Sequence, residues 1–239
     1  MLINCHFRSC SGNIAFVKPF ELLGQTVAPD GSVMKLTRRD DEYLILVDGA
    51  VLMSSRMHGS EEALASLACQ QIRNLPQPAV LIGGLGMGFT LRATLSLLPS
   101  HATVVVAELL PAVVAWNRGP LGPLAGHPVL DQRVRIETAD VAAILRASRN
   151  QFDAVLLDVD NGPAAFTDAH NTALYDRGGI AAAHASLKQS GVLAIWAAEE
   201  DLTFTQRLRD GGFNVQTHHP RGRLKKGGPR HTVFLAMKT

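Results

Sequence analysis

Residues 79–93, AVLIGGLGMGFTLRA, set an apolar β-forming run against glycines at every second position and close on a helix-forming segment. Strand, glycine turn and helix in that order open an α/β unit whose ligand lies over the turn. The spacing selects among ligands. A Walker loop ends on Lys-Ser/Thr to hold phosphate and magnesium, and GMGFTL has no lysine. A dinucleotide loop needs G-x-G-x-x-G, its last glycine letting the helix pack closely. Counted from Gly84 that position is Phe89, and counted from Gly86 it is Leu91. What fits is G-x-G-x-G on Gly84, Gly86 and Gly88.

Acids after the next strands narrow the ligand. TVVVAEL ends at Glu108, RIETAD at Asp140 and VLLDVD at Asp158 and Asp160. In an open α/β sheet the carboxyl ends of the strands meet at one crevice. An acid after the second strand accepts hydrogen bonds from both ribose hydroxyls of a nucleoside. Asp140 is placed to reach an adenine amino group, and Asp158 reaches the cleft edge. Asp160 either assists Asp158 or satisfies local N–H groups of its turn. The expected nucleoside site is therefore Gly84, Gly86, Gly88, Glu108, Asp140 and Asp158.

The rest of the chain reads as two parts, residues 1–57 and 58–239. Up to about residue 55 the punctuation is that of hairpins: PDG at 29–31, RRDD at 38–41, and Asp48-Gly49 between EYLILV and AVLMSS. A small antiparallel sheet is expected there. GSEEALASLACQQIRNL then reads as a helix, with Ser60 as N-cap, Glu61 and Glu62 in the first turn, and Leu64, Leu67, Ala68 and Leu75 on one face. Seven apolar runs follow, beginning with AVLIGG, alternating first with helical patterns, and ending in FNVQTHH and HTVFLAM. Continuous Val/Ile/Leu strands imply a mostly parallel, Rossmann-like sheet covered on both faces, and the last two imply an antiparallel hairpin at its edge.

With 239 residues the chain can bury a full core, and its 46% hydrophobic and 18% charged residues exclude the disordered class. A net charge of +2 gives no global nucleic-acid footprint. Cys5, Cys10 and Cys69 form no CxxC pair, and no metal site is expected. The N-terminus lacks a continuous apolar h-region, and no apolar run reaches the roughly 20 residues of a membrane span. A soluble, cytoplasmic protein is expected.

Glycine loop and acids together resemble the class I S-adenosylmethionine-dependent methyltransferase fold. More narrowly, the chain resembles the spermidine synthase (polyamine aminopropyltransferase) family over nearly its whole length. The β-rich start ending LVDGAVLMSS, Glu108, Asp140 and Asp158, the DVDNGPA segment and the closing RHTVFLA strand carry that resemblance. It implies S-adenosylmethionine or its decarboxylated form as co-substrate, a small-molecule amine as acceptor, Asp158 as proton acceptor, and a homodimer. Departures are specific. The family's loop aspartate, which grips the ammonium of the decarboxylated donor, falls at Gly86. Its glutamine after the DG turn falls at Leu52, and its Tyr-His pair falls at about Gly59 and Ser60. These losses shift the expectation slightly towards methyl transfer to an amine, with aminopropyl transfer as the alternative. A non-catalytic nucleoside-binding scaffold is the other class.

Several residues have two readings. Tyr175 lines the acceptor pocket or packs in the core. His58 and Glu61, in RMHGSEE, face the pocket or belong to the helix start. HHPRGRLKKGGPRH at 218–231 is a flap for an anionic substrate or RNA, or a solvated hairpin loop; it has no interleaved aromatics, and nucleic acid is not favoured.

Overall fold

The computed structural model, which describes residues 18–159, 173–223 and 227–239, contains two sheets. The first is antiparallel, with β1 (Glu21–Val27), β2 (Val33–Arg39), β3 (Glu42–Val47) and β4 (Ala50–Ser54) in chain order. Its turns follow side-chain chemistry. Asp30 accepts hydrogen bonds from both the N–H and the hydroxyl of Ser32. Asp48 and Gly49 take φ of 47° and 86°, the paired positive values of a turn that matches strand twist. Strand β1 lies upstream of every turn marked in the sequence and joins by pairing with β2.

Helix α1 (Gly59–Cys69) links the two sheets. It differs from the expected helix at both ends. His58, not Ser60, occupies the N-cap, and the Ser60 hydroxyl donates to Glu61 instead of capping the backbone. The helix stops at Cys69, so Leu64 and Ala68 are buried while Leu75 is 39% exposed.

The second sheet contains β5 (Ala79–Gly83), β6 (Thr103–Ala107), β7 (Val134–Glu137), β8 (Phe152–Leu157), β9 (Leu187–Ala197), β10 (Phe213–His218) and β11 (Thr232–Lys238). Between them run α2 (Phe89–Leu97), α3 (Pro111–Arg118), α4 (Val141–Ala147), α5 (Arg177–Ser186) and α6 (Leu202–Asp210). The strand order is β10-β11-β9-β8-β5-β6-β7. Strands β5 to β9 are mutually parallel, and β11 runs antiparallel to both β9 and β10. All seven apolar runs became strands of one sheet, with the expected antiparallel hairpin at its edge. The chain starts in the middle at β5, winds out to β7, and returns to β8 on the other side of β5. A crevice opens at such a reversal, above the carboxyl ends of β5 and β8.

Alternate strand residues feed two cores. Val80, Ile82, Val104, Val106, Ala154 and Leu156 pack on the side of α1, α2 and α3, together with Leu36 and Ile45 of the small sheet. Leu81, Val155, Leu157, Leu193, Ile195 and Phe234 pack on the opposite side with residues of α4, α5 and α6. Two apolar faces are what continuous Val/Ile/Leu strands require. Among the described residues no helix is long and apolar enough to cross a membrane.

Gly24 fixes the small sheet against the larger unit. A Cβ there would collide with the indole nitrogen of buried Trp116 on α3. Gly24→Val is expected to lower stability by roughly 1–3 kcal/mol, the scale of an overpacked core, read as a lower urea midpoint. An unchanged midpoint would contradict that close packing.

Candidate active site at the carboxyl ends of β5 and β8

Each loop glycine is required by its own neighbour. Gly84, Gly86 and Gly88 take φ of 87°, 49° and 81°, the left-handed region that disfavours a side chain. A Cβ on Gly84 would strike the Asp158 carbonyl oxygen; on Gly86 it would lie 2.9 Å from Sδ and Cε of Met53; on Gly88, 2.8 Å from Asn117 Oδ1. Two neighbouring strands and helix α3 hold the loop. Gly84 N–H donates to the Ala107 carbonyl at 2.8 Å, and Asp158 N–H donates to that of Gly83 at 2.9 Å. Fully buried Asn117 donates through Nδ2 to the Gly86 carbonyl at 2.8 Å and to that of Val113 at 3.0 Å. Asn117 was missed in the sequence, where its only signal is a polar residue inside the apolar helix PAVVAWNR.

Glu108 anchors the same loop. Its Oε2 accepts from Leu85 N–H and its Oε1 from Leu110 N–H, each at 2.9 Å, and the side chain is buried. Its place after β6 agrees with the sequence, and its backbone-holding role is an addition. Asp140 sits after β7 as the N-cap of α4. Its Oδ1 accepts from Ala142 N–H at 2.8 Å, while Oδ2 lies 3.9 Å from the Arg146 guanidinium on an exposed face.

A second group of acids gathers at the crevice. Asp158 Oδ2 accepts from the Thr90 hydroxyl in the first turn of α2, at 2.5 Å. Burial pushes the Asp158 carboxyl up to about 6 from 3.8, and the Thr90 hydrogen bond opposes that rise. Glu61, on the first turn of α1, is 8% exposed and accepts from Ser60 Oγ at 2.7 Å. Burial first, and the Asp158 charge second, raise Glu61 to about 7 from 4.5. Ser60 Oγ also lies 2.8 Å from His231 Nδ1, just before β11. The His231 ring packs on Trp196 at 4.8 Å between centroids, and burial lowers its pKa.

The remaining candidates are placed elsewhere. His58 stacks on Phe89 at 4.2 Å, with Nδ1 2.9 Å from Glu62 Oε1. Glu62 also pairs with Arg92, so this cluster clamps α1 to α2. Tyr175 is 4% exposed and meets Phe204 edge-on in the core beside α6, which is its packing reading. Asp160, Lys225 and Lys226 lie outside the described residues. The stem of the basic loop reaches α1, where Gly59 N–H donates to the Gly222 carbonyl at 2.8 Å. A surface hollow of about 360 Å³ between α2 and residues 125–131 is lined by none of the crevice acids.

Solved structures share this architecture. The chain resembles the spermidine synthase from Thermotoga maritima at TM-score 0.72 and 20% identity, over 91% of this chain and 73% of that one. A spermidine synthase in complex with the transition-state analogue AdoDATO gives TM-score 0.71 and 19% identity, over 91% and 72%. A probable spermidine synthase from Corynebacterium glutamicum ATCC 13032 gives TM-score 0.60 and 16% identity, over 90% and 79%. No family model matches the sequence, and no curated protein sequence does. The protein shares the fold of these spermidine synthases, a mostly parallel α/β sheet preceded by a small antiparallel sheet.

The raised carboxyls have a consequence for stability. An acid whose folded pKa exceeds its unfolded value stabilises the fold below the unfolded value and loses that contribution as pH rises through the folded one. For Glu61 the loss runs from about 4.5 to about 7. Glu61→Gln, which keeps the shape without the charge, is expected to match wild type near pH 4 and to exceed it near pH 8 by on the order of a few kcal/mol. Urea titrations at the two pH values measure this; a variant no more stable than wild type at the higher pH would contradict it.

Proposed function

We propose that the chain is an aminopropyltransferase-type enzyme that binds decarboxylated S-adenosylmethionine over the glycine loop and passes its aminopropyl group to an amine. The observation that carries this reading is the Glu61–Asp158 pair. Buried Glu61 and partly buried Asp158 come from different elements, the Asp158 charge adds to the rise of Glu61, and neither has a lysine or arginine partner among the described residues. Buried like charges are costly unless a cation joins them. An ammonium group is that cation. A donor tail ending in ammonium alone suits the pair, whereas a tail that adds a carboxylate is repelled by it.

This reverses the preference for methyl transfer drawn from the sequence. That preference rested on Gly86, Leu52 and Gly59, where the resemblance places a loop aspartate, a glutamine and the start of a Tyr-His pair. At Gly86 the positive φ disfavours a side chain, and a Cβ would press on the terminal atoms of Met53, which would have to shift. The acid comes instead from Glu61 on α1. The fold shared with spermidine synthases supports the same choice.

The residues divide the work. Gly84, Gly86 and Gly88 keep the loop backbone low beneath the nucleoside. Glu108 holds that loop through the Leu85 N–H and its own turn through the Leu110 N–H, and in this reading its carboxylate also accepts from the ribose hydroxyls. Asp140 takes the adenine amino group. A thioether leaving group needs no acid, so the chemistry that remains is alignment and removal of one proton from the incoming ammonium. Asp158, with its carboxyl near 6, accepts that proton at neutral pH, and Glu61 holds the positive charge of the substrate.

Calorimetric titration with decarboxylated S-adenosylmethionine, S-adenosylmethionine and methylthioadenosine tests this reading. The decarboxylated donor is expected to bind at least about tenfold more tightly than S-adenosylmethionine, or roughly 1.4 kcal/mol. With 1,4-diaminobutane it should yield methylthioadenosine, and Asp158→Asn should suppress that yield while methylthioadenosine still binds. Tighter binding of S-adenosylmethionine together with a methylated amine would overturn aminopropyl transfer. Binding of the nucleosides without transfer to any amine would favour a scaffold.

A further inference from the structure

Behind the carboxylate pair runs a line of polar side chains that the transfer step above does not use. Glu61 Oε2 accepts from Ser60 Oγ at 2.7 Å, and Ser60 Oγ lies 2.8 Å from His231 Nδ1, across 171 positions of sequence. Ser60 is fully buried, Glu61 nearly so, and His231 is partly exposed. The line runs from the crevice, through the first turn of α1, to the stem of the 220–231 turn.

The stem is built to hold the imidazole in place. Gly59 N–H donates to the Gly222 carbonyl at 2.8 Å, and His231 N–H donates to the Pro220 carbonyl at 2.9 Å. Gly222 leaves the space beside the ring open, since a Cβ there would lie 3.1 Å from His231 Cε1. Trp196 covers the ring from β9. Around the stem, Arg221, Arg223 and Arg230 are exposed, so the outer end of the line meets water.

A hydroxyl donates one hydrogen bond and accepts others, so the line can run in either direction. When Glu61 is ionised, Ser60 donates to it and accepts from Nδ1–H of His231. When Glu61 carries a proton, it donates to Ser60, and Ser60 donates to a bare Nδ1 while Nε2 keeps its hydrogen. The complete burial of Ser60 argues against the other role of a serine beside a histidine, attack on a substrate, because no substrate atom can approach its oxygen. Groups acting on the inner end are Asp158 from β8 and Glu62 from the same helix. On the outer end, burial keeps the imidazole neutral and able to accept.

We propose that Glu61, Ser60 and His231 form a proton relay between the buried carboxylate pair and the solvent edge of the 220–231 turn. Resting on the function proposed above, the proton it carries outward is the one an ammonium acceptor loses before attack. The ammonium N–H bond breaks and an O–H bond forms on Asp158; that proton then passes to the Glu61 carboxylate, so the Asp158 O–H breaks as the Glu61 O–H forms. Glu61 passes a proton to Ser60 Oγ, whose own proton moves to His231 Nδ1. Nε2 then releases one proton to water. The pair is left ionised, and only O–H and N–H bonds have exchanged.

The test separates relay from reaction. The His231 ring nitrogens are followed by 15N–1H correlation through neutral pH in wild type, Ser60→Ala and Glu61→Gln, each checked for a cooperative melt. In wild type the Nδ1 and Nε2 shifts should change as Glu61 titrates, before the ring itself is fully protonated. Glu61→Gln should abolish that change, and Ser60→Ala should reduce it severalfold although Glu61 and its charge remain. A change equally large in Ser60→Ala would mean coupling through space and would overturn the relay, as would a ring indifferent to Glu61. In parallel, methylthioadenosine release from decarboxylated S-adenosylmethionine and 1,4-diaminobutane should fall about tenfold in kcat with KM retained in Ser60→Ala. Exogenous imidazole should partly restore His231→Ala. Release unchanged in Ser60→Ala overturns the relay's part in turnover. No release in wild type overturns the aminopropyl reading, and the ring shifts still decide the relay.

Discussion

At the reversal of the sheet, the Asp158 carbonyl lies so close to Gly84 that no side chain fits between them. Asp158 N–H donates to the Gly83 carbonyl in the same place. These contacts lock the glycine loop of β5 to the acid that ends β8, and the rest of the site is arranged around that lock. Thr90, on the helix that leaves the loop, donates to the Asp158 carboxylate; Glu108 and Asn117 hold the loop from β6 and α3. Moving the loop therefore moves the acid, and the glycine loop and Asp158 form one mechanical unit.

The second constraint is electrostatic. Glu61 is buried and Asp158 partly buried on different elements, and both carboxyls hold their protons above the ordinary range because burial disfavours the charged form. A fold maintained only for packing gains nothing from such a pair. In the function proposed above, an ammonium ligand turns that cost into affinity. The loop carries glycine at 86, beside the terminal atoms of Met53, and the second acid near Asp158 is Glu61 on α1.

Much of this was legible in the sequence because its signals are local. Continuous apolar runs mark strands covered on both faces, Asp48-Gly49 marks a hairpin, and alternate glycines followed by strand-end acids mark the crevice. The three glycines, Glu108, Asp140 and Asp158 all lie at the carboxyl ends of the expected strands. What was not legible depends on long-range contact. Nothing near Asn117 reveals that its amide reaches Gly86, and nothing in GSEEAL reveals that Ser60 meets His231. Ser60 looked like an N-cap because serine before an acidic turn usually is one; tertiary bonding to Glu61 and His231 overrode that local preference. Tyr175 had two readings, and the structure places it buried and edge-on to Phe204.

The central claim is that the buried carboxylates are neutralised by a cationic ligand, and proton counting tests it most directly. Near neutral pH the pair retains part of a proton that an arriving ammonium should expel. Calorimetry of decarboxylated S-adenosylmethionine binding, repeated in buffers of different ionisation enthalpy, yields the number released. The account predicts release of a substantial fraction of one proton in wild type and almost none in Glu61→Gln. Tight binding with no proton released in either protein would contradict it.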